Sequence, residues 1–544
     1  MVGATGDRRS GVRGVRVRDR ARPTILAAAL LLATTLGAPT TGAAAPGPTQ
    51  SGLVATPAPV ALLVAVPVAP PGGGKEEAAA RAAVKTYKSG RRNASPAASL
   101  RQYIYELDLL KAHDSPVVVD VVLDELEQGL PERQRRLRGV LGGFTRVETL
   151  DYLVRHGLDH SRSEVREQVA LALGEGRPAG YDWVTPLIMS LDDPTPRVRA
   201  AAVEVLGRAR VAESLGAILE LAPDTSVRVR QRVPEALARL APKRALPMLS
   251  SMASDSSWRV RVSVVRALGT LKSRGSVEAL IDVLEHEQGR VREDALNELR
   301  NLTRQNFGMS VEAWRRYLEI APQDFLSNTA VDGADPSASP GSVVYYGLSS
   351  LSTRFVMVTD LSGSMSTYEG ASAIPTQRAT RTGTRLDLTT RELTALLEHV
   401  ETDVSLNLLT FTSGVKSWKN KLVPMHDKQR QRALQELESY RADGPTNVYA
   451  ALETCFDMAA PSLDRPERED ETPDTIFLLT DGVPSEGRLQ DPNFLLEYIG
   501  ERNRDLQLRI HCISLTTLPA ALEFMERIAR LTTGQAVTPF GGSR

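Results

Sequence analysis

The chain has 544 residues, of which 66 are lysine or arginine and 66 are aspartate or glutamate, so its formal net charge is zero. This balance argues against a nucleic-acid-binding protein, whose affinity rests on a basic surface that meets phosphates. The hydrophobic content of 42% is ordinary for a globular protein and excludes a chain that is mostly disordered or mostly buried in a membrane.

The N-terminal segment has the layout of a secretory signal peptide. Residues 1–22 carry seven arginines and two aspartates, an apolar run of 14 residues follows at 24–37, and small residues continue through Ala45. That run is too short for an ordinary membrane-spanning helix, which needs about 20 residues. We therefore expect residues 1–44 to be a signal peptide that directs the protein to the periplasm, the cell envelope or the medium. An uncleaved segment that anchors the chain in the membrane is the alternative. Residues 45–75 are predicted to be a Pro/Ala/Gly-rich linker.

A sequence repeat fills the middle of the chain. Five Val-Arg pairs recur, first after 33 residues and then three times after 31 residues; they are Val165-Arg166, Val198-Arg199, Val229-Arg230, Val260-Arg261 and Val291-Arg292. A fixed period in this range is typical of a solenoid, in which each unit buries its apolar face only against its neighbours. We predict that residues 76–325 form an all-α solenoid, with its most regular part at 160–305.

Each unit is predicted to contain two short helices. Val198, Ala202 and Leu206 fall on one face of the first helix of their unit. We expect an aspartate to cap this helix and a glycine in a left-handed conformation to end it; the residues in question are Asp193, Asp224 and Asp255, and Gly207 and Gly269. The pattern resembles HEAT-like repeats of the short type that is also found in phycobilisome lyases.

The repeated arginines and a pair of histidines each have a structural and a functional interpretation. We expect the arginine of each Val-Arg pair to be solvated or paired within its repeat; the functional alternative is a basic concave strip that recruits an acidic partner. His156 and His160 lie four residues apart on a predicted helix, as metal ligands could. No acidic or cysteine partner accompanies them in the sequence, so we expect surface histidines.

The C-terminal part of the chain alternates buried strands with amphipathic helices, after a linker at 326–344 that is rich in Ser, Ala, Asp and Pro. This alternation predicts that residues 345–544 form an α/β domain with a doubly wound, mostly parallel sheet. Cys455 and Cys512 are expected to be buried in it as small apolar residues. Strands are predicted at 354–360, 404–411, 475–480 and 508–514, and helices at 386–400, 428–440, 448–460, 492–502 and 520–531.

Oxygen-bearing side chains follow the predicted strands. Asp360, Ser362 and Ser364 come at the end of the first strand, Thr446 lies in a later loop, and Asp481 follows the strand at 475–480. Two carboxylates and three hydroxyls suit a hard divalent cation. Mg²⁺ fits best because it retains waters and a free position, and Mn²⁺ or Ca²⁺ are the alternatives.

These residues resemble the metal-ion-dependent adhesion site of the von Willebrand factor A domain. All five positions of the family are matched, and the departure is Pro445, where the family more often has glycine. The resemblance implies that Ser362, Ser364 and Thr446 coordinate the ion through their hydroxyls, and that Asp360 and Asp481 do so directly or through water. It also implies that a carboxylate from an Asp or Glu of a protein partner completes the coordination.

The sequence contains no HExxH, Walker or GxSxG motif, so we assign no catalytic residue and predict that the protein is not an enzyme. We predict an exported protein that binds a protein partner, but no nucleic acid, through a Mg²⁺-type site, with the solenoid as a second interaction surface. One alternative is a cytoplasmic partner of an ATPase in a chaperone or metal-insertion complex. Another is an envelope scaffold with an idle metal site. The attached α/β domain argues against a lyase activity of the solenoid.

Overall fold

The computed structural model describes residues 74–93, 99–322, 326, 342–369 and 383–539. The predicted signal peptide lies outside these residues, as do most of the predicted linkers at 45–75 and 326–344. From Pro70 onward the chain forms one compact unit, in which a helical solenoid is followed by an α/β domain. The fold class predicted from the sequence is therefore confirmed. Among the described helices, none has an apolar stretch long enough to cross a bilayer.

The solenoid stacks helix pairs around one continuous apolar core, which runs from Ala80 to Leu318. Its helices are α1 (Lys75–Asn93), α2 (Ser99–Lys111), α3 (Pro116–Glu127), α4 (Pro131–Leu141), α5 (Val147–Gly157), α6 (Ser163–Gly176), α7 (Val184–Met189), α8 (Pro196–Ala209), α9 (Leu215–Glu220), α10 (Val227–Arg230), α11 (Val233–Leu240), α12 (Ala245–Met252), α13 (Trp258–Leu271), α14 (Arg274–His286), α15 (Gly289–Thr303) and α16 (Val311–Ile320). We call α4, α6, α8, α10, α11, α13 and α15 the first-helix row, and α5, α7, α9, α12, α14 and α16 the second-helix row.

The arginines of the Val-Arg pairs join consecutive repeats. Arg166 donates two hydrogen bonds to the Asp193 carboxylate, at 2.8 and 2.9 Å, and a third to the carbonyl of His160 at 2.7 Å. Corresponding ion pairs recur in the next three units; they are Arg199–Asp224, Arg230–Asp255 and Arg261–Glu287. The arginines are thus paired, as expected, but each partner lies in the following repeat. These four arginines do not form a free basic strip.

The aspartates of these arginine–carboxylate pairs do not cap the helices, so the prediction that they would was wrong. Asp193 lies before the N-cap residue of α8, Thr195, and its carboxylate accepts a hydrogen bond from the backbone N–H of Thr195 at 2.8 Å. Asp224 and Asp255 each accept a corresponding hydrogen bond, from the backbone N–H of the residue two positions later. The aspartate therefore shapes the turn before the helix and orients its carboxylate toward the preceding repeat.

The glycines of the repeats do not end the helices, and this prediction was also wrong. Gly207 lies inside α8, where a Cβ atom would lie 2.5 Å from the Cβ of Ala236. The left-handed residue that follows α8 is Arg210, with φ of 57°, and Lys272 has the same role after α13. Gly207 is therefore needed for the close approach of α8 and α11.

The histidine pair does have an acidic neighbour. His160 Nε2 lies 3.2 Å from a carboxylate oxygen of Glu127, which is 33 residues away in the sequence. His156 is exposed and packs against the ring of Tyr152. The described residues contain no group of three or more His, Cys, Asp or Glu side chains that could hold a metal ion.

The α/β domain is built on a mostly parallel sheet in the order β11-β10-β9-β3-β6-β7, in which β7 and the short β8 pair antiparallel with β6. Its strands are β1 (Val343–Tyr345), β2 (Leu348–Ser350), β3 (Arg354–Asp360), β4 (Tyr368–Glu369), β5 (Gly383–Thr384), β6 (Ser405–Phe411), β7 (Val415–Ser417), β8 (Val423–Pro424), β9 (Thr475–Thr480), β10 (Arg509–Ser514) and β11 (Ala536–Val537). Its helices are α17 (Arg385–His399), α18 (Asp427–Leu437), α19 (Val448–Ala459), α20 (Pro461–Asp464), α21 (Pro492–Leu506) and α22 (Pro519–Leu531).

Helices cover both faces of this sheet. Alternate residues of β3 point to opposite sides, so Val356 packs with α19, α21 and α22, and Met357 packs with α17 and α18. Cys455 and Cys512 are buried in the first of these two cores, as predicted. Because both faces are covered, the polar ends of the strands are the accessible part of the sheet.

The α/β domain packs against the first-helix row of the solenoid. Its helix α21 lies on α4, where Arg136 binds Glu497 at 3.0 and 2.9 Å and Arg138 binds Glu501 at 2.7 and 2.8 Å. Both contacts are bidentate arginine–carboxylate pairs, which fix orientation as well as distance.

The C-terminal end of α21 continues this contact. Asp505 accepts hydrogen bonds from Arg228 at 2.5 Å and from Arg232 at 2.7 Å, and Arg504 binds Glu167. Burial alone would raise the pKa of the Asp505 carboxyl, but the three arginines around it outweigh burial and hold the pKa below its ordinary value. Asp505 is therefore a charged residue at the centre of the domain contact.

Buried charges also join the solenoid to the amino-terminal ends of the strands. Arg259 is fully buried and binds the carboxylate of Glu469 and the carbonyl of Leu506. Arg509, the first residue of β10, binds Glu293 of α15. The solenoid thus contacts the edge of the sheet opposite to the one where the oxygen-bearing residues lie, and the first-helix row is covered by the chain's own domain.

Candidate metal site

The candidate site lies at the carboxyl ends of the central strands. Asp360 is the last residue of β3, and Asp481 follows β9, which pairs in parallel with β3. Thr446 lies in the loop before α19, and this loop reaches β3 because the N–H of Gly363 donates to the carbonyl of Gly444 at 2.8 Å. Gly444 has φ of 84°, a conformation that favours glycine.

A continuous set of hydrogen bonds joins four of the five predicted residues. The N–H of Ser362 donates to Asp360 Oδ1 at 2.7 Å, and the hydroxyls of Ser362 and Ser364 lie 3.1 Å apart. The hydroxyl of Ser364 donates to Asp481 Oδ1 at 2.7 Å. The structure therefore brings Asp360, Ser362, Ser364 and Asp481 together, although they come from two strands that are far apart in the sequence.

Thr446, the fifth predicted residue, lies close to Gly482, the residue after Asp481. If Gly482 had a Cβ atom, that atom would lie 3.9 Å from Thr446 Oγ1, so the hydroxyl of Thr446 is near the backbone of Gly482. The backbone of Thr446 exchanges two hydrogen bonds with Ser485, each at 3.0 Å: its N–H donates to the Ser485 hydroxyl, and its carbonyl accepts from the Ser485 N–H. These bonds occupy the backbone of Thr446 and leave its hydroxyl available as a ligand.

The two carboxylates are buried but have different environments. Burial raises the pKa of Asp360 to about 6, although hydrogen bonds from Thr480 and Ser362 act in the opposite direction. The Thr480 hydroxyl donates to Asp360 Oδ2 at 2.5 Å. Asp481 instead forms an ion pair with Arg385, whose Nη1 lies 2.7 Å from Asp481 Oδ2.

Arg385, the cation of this site, was not predicted from the sequence. It is the first residue of α17, which begins with a capping box between Thr384 and Asp387. Its N–H also donates to the carbonyl of Thr367 at 2.9 Å, which places it next to the turn that holds Ser362 and Ser364. No motif marks Arg385, because its role depends on a contact across 96 residues of sequence.

The residues present fit a hard divalent cation. The donors are two carboxylates and three hydroxyls, the oxygen ligands that Mg²⁺ prefers, and the buried position of Asp360 favours a cation that would compensate its charge. With Arg385 beside Asp481, the three ionisable side chains carry a formal net charge of −1. A bound divalent ion would therefore not be neutralised by the protein alone.

Replacing Arg385 with glutamine should tighten Mg²⁺ binding by about threefold to tenfold, because it removes a positive charge from the site, an effect of about 1 kcal/mol at such distances. Isothermal titration calorimetry with Mg²⁺ would measure the change. Arg391→Gln, at an exposed position on the same helix, is the matched control and should leave the affinity unchanged. Weaker binding by Arg385→Gln would mean instead that Arg385 is needed to hold Asp481 in place.

A solenoid of helix pairs joined to a doubly wound domain, with oxygen donors at the carboxyl edge of its sheet, defines a protein of HEAT repeats and a von Willebrand factor type A domain. The chain matches HEAT repeats over residues 184–261 and 248–306, and a von Willebrand factor type A domain over residues 381–538. The predicted HEAT repeats and the predicted von Willebrand factor type A domain are thus confirmed, while the adhesion site within that domain stays a prediction. The second match includes Thr446 and Asp481 and begins after Ser364.

The curated relatives match less than a third of this chain, and the match covers less than a fifth of their own length. The chain is 28% identical over 138 residues to the human von Willebrand factor A domain-containing protein 3A, which covers 25% of this chain and 10% of that protein. It is 28% identical over 166 residues to human inter-alpha-trypsin inhibitor heavy chain H4, which covers 29% of this chain and 16% of that one. A solved von Willebrand factor type A structure from Catenulispora acidiphila has 18% identity and a TM-score of 0.26, over 35% of this chain and 39% of its own.

Proposed function

We propose that this is an exported, non-catalytic protein that captures a protein partner by binding an Asp or Glu carboxylate at a Mg²⁺-type site. HEAT repeats and von Willebrand factor A domains generally mediate protein–protein interactions and are generally not catalytic. The observation that carries the proposal is the hydrogen-bonded set that joins Asp360, Ser362, Ser364 and Asp481 at an accessible edge of the sheet.

The residues of the site would have two different roles in binding an ion. Asp360, Ser362, Ser364, Thr446 and Asp481 would be its ligands, while Thr480 and Arg385 orient the two carboxylates. A bound Mg²⁺ would supply a coordination position that a carboxylate of the partner can take. Ser364 is the exposed member of the set, so this position would open on the side of Ser364.

The solenoid would offer its second surface on the second-helix row. The first-helix row is covered by the α/β domain, whereas Met189 of α7 and Leu219 of α9 are exposed. In α7, α9 and α12 the only charged residue is Glu220. The part of the row formed by α7, α9 and α12 therefore suits an apolar rather than an acidic partner surface.

Export can be tested with the N-terminal segment itself. Residues 1–75, fused to a phosphatase that is active only outside the cytoplasm, should give an active enzyme in a bacterial host. A fusion that stays inactive in the cytoplasm would favour the alternative of a cytoplasmic partner of an ATPase complex.

Capture of a partner is the direct test of the site. Residues 70–544, immobilised and incubated with envelope extract, should retain a partner in Mg²⁺ and release it in EDTA, and Asp360→Ala should retain none. Asp443→Ala is the matched control, because Asp443 is an exposed carboxylate whose backbone N–H contacts Leu361 at the same edge. Retention that is the same in EDTA and in Asp360→Ala would contradict the proposal and favour a scaffold with an idle metal site.

A further inference from the structure

Three large apolar side chains are exposed near the candidate site, each in a segment that connects the carboxyl end of a strand of the large sheet to the next helix. Tyr368 follows β3 and is 63% exposed, Val483 follows β9 and is 37% exposed, and Leu518 follows β10 and is 62% exposed. The other exposed large apolar residues of the described α/β domain are Val344 and Leu531. We call Tyr368, Val483 and Leu518 the apolar rim.

Backbone contacts hold the apolar rim close to the oxygen donors. Tyr368 pairs with Thr384, the residue before Arg385. Val483 lies two residues after Asp481. The loop that carries Leu518 is joined to β9 because the N–H of Leu515 donates to the carbonyl of Thr480 at 3.0 Å. Since β9 lies between β3 and β10 and neighbouring strands are about 4.8 Å apart, the ends of the three strands span about 10 Å.

The position of Leu518 at the start of α22 is also fixed by its neighbours. Its N–H donates to the hydroxyl of Thr516 at 3.2 Å, and Pro519 follows it as the first residue of the helix. A proline there restricts Leu518 to an extended backbone, which fixes the direction of its Cα–Cβ bond. A single exposed leucine is common on protein surfaces. Three large apolar side chains around one polar site instead form a surface that combines apolar and polar groups.

We propose that the partner's carboxylate belongs to an extended segment in which large apolar side chains lie within about three residues of the Asp or Glu. An extended chain advances about 3.3 Å per residue, so three residues cover the 10 Å between the outer strands of the rim. The site itself recognises only a carboxylate, and the apolar rim selects among acidic segments. Arg385, next to Asp481, disfavours lysine or arginine beside the acid. This inference rests on the proposed function.

A peptide selection tests the proposal while the partner is still unidentified. Displayed random peptides are selected on immobilised residues 70–544 in Mg²⁺, depleted on the Asp360→Ala variant, and eluted with EDTA. We expect the eluted peptides to be enriched in an Asp or Glu with Leu, Ile, Phe, Tyr or Trp within three positions. The most enriched peptide, labelled with a fluorophore, should bind Leu518→Ser at least fivefold more weakly than the parent protein.

The matched control is Leu531→Ser, because Leu531 is also exposed but lies at the opposite end of α22. This variant should bind the peptide like the parent protein, and Mg²⁺ affinity should be unchanged in both variants. Acidic peptides without apolar neighbours, bound equally by Leu518→Ser, would overturn the role of the apolar rim and leave the carboxylate site in place. An absence of peptides that EDTA can elute would overturn both.

A lipid surface is the other occupant that an apolar rim beside a cation site could take. Sedimentation with vesicles of phosphatidylglycerol and phosphatidylcholine, in Mg²⁺ and in EDTA, distinguishes the two. We expect no Mg²⁺-dependent binding to vesicles. Binding to vesicles that Leu518→Ser abolishes would overturn the peptide proposal in favour of a membrane surface.

Discussion

Replacing Asp505 with alanine should release the α/β domain from the solenoid. Asp505 binds the partly buried guanidinium groups of Arg228 and Arg232. Its loss leaves these groups with only the longer carboxylate contacts to Asp464 at 3.6 Å and Glu204 at 3.5 Å. Removing one member of a buried ion pair costs about 3–5 kcal/mol. Since 1.36 kcal/mol corresponds to a factor of ten, backbone amides of α21 that exchange through undocking should exchange about two to four orders of magnitude faster. Hydrogen exchange with mass spectrometry would measure this directly.

The matched control for Asp505→Ala is Asp457→Ala. Asp457 pairs with Arg502 of the same helix α21 at 2.6 Å, but it is exposed, and an exposed pair contributes at most about 1 kcal/mol. Exchange in α21 should therefore change little in this variant. Equal effects of the two substitutions would contradict the central role of Asp505 in the domain contact.

The largest expected effect on the candidate site comes from Asp360→Asn, which should weaken Mg²⁺ binding by at least roughly 100-fold, because affinity for such cations depends strongly on the charge of the ligands. After this substitution Asp481 is the remaining anionic ligand, and Arg385 already neutralises it. The fold should persist, since asparagine has the shape of aspartate and removes a charge from a fully buried position.

Calorimetry with Mg²⁺ and a thermal melt without Mg²⁺ would separate these two effects of Asp360→Asn. Asp443→Asn, the matched exposed substitution at the same edge, should bind Mg²⁺ like the parent protein. If Asp360→Asn kept the parent affinity, the ion would lie elsewhere and the ligand set derived from the resemblance would be wrong.

Periodicity predicted the elements of the α/β domain well. The strand Thr475–Thr480 has the predicted bounds, and α17 and α19 differ from prediction by one residue at their ends. Buried parallel strands are continuous apolar runs, so their limits are visible in the sequence. The hairpin of β1 and β2 was not predicted, because its strands have three residues each and show no clear alternation.

The sequence predicted which oxygen donors would meet, but not the charges around them. Asp360 and Asp481 could be placed at one edge because parallel strands end at the same side of a sheet. The roles of Arg385 and of the arginines at the domain contact could not be predicted. Each depends on a contact between distant segments, as in the pairing of Arg138 with Glu501 across 363 residues. That the five predicted residues bind a metal stays a prediction.

The ladder of arginine–carboxylate pairs has a consequence for the copy number of the repeats. Deleting residues 225–255 would preserve the ladder, because Arg199 would still face Asp224 and the following turn would be equivalent. Most solenoids gain or lose whole units in this way at little cost. Here the deletion would also remove Arg228 and Arg232, which align with α21. The contact with the α/β domain therefore limits the number of repeats that the solenoid can lose or gain.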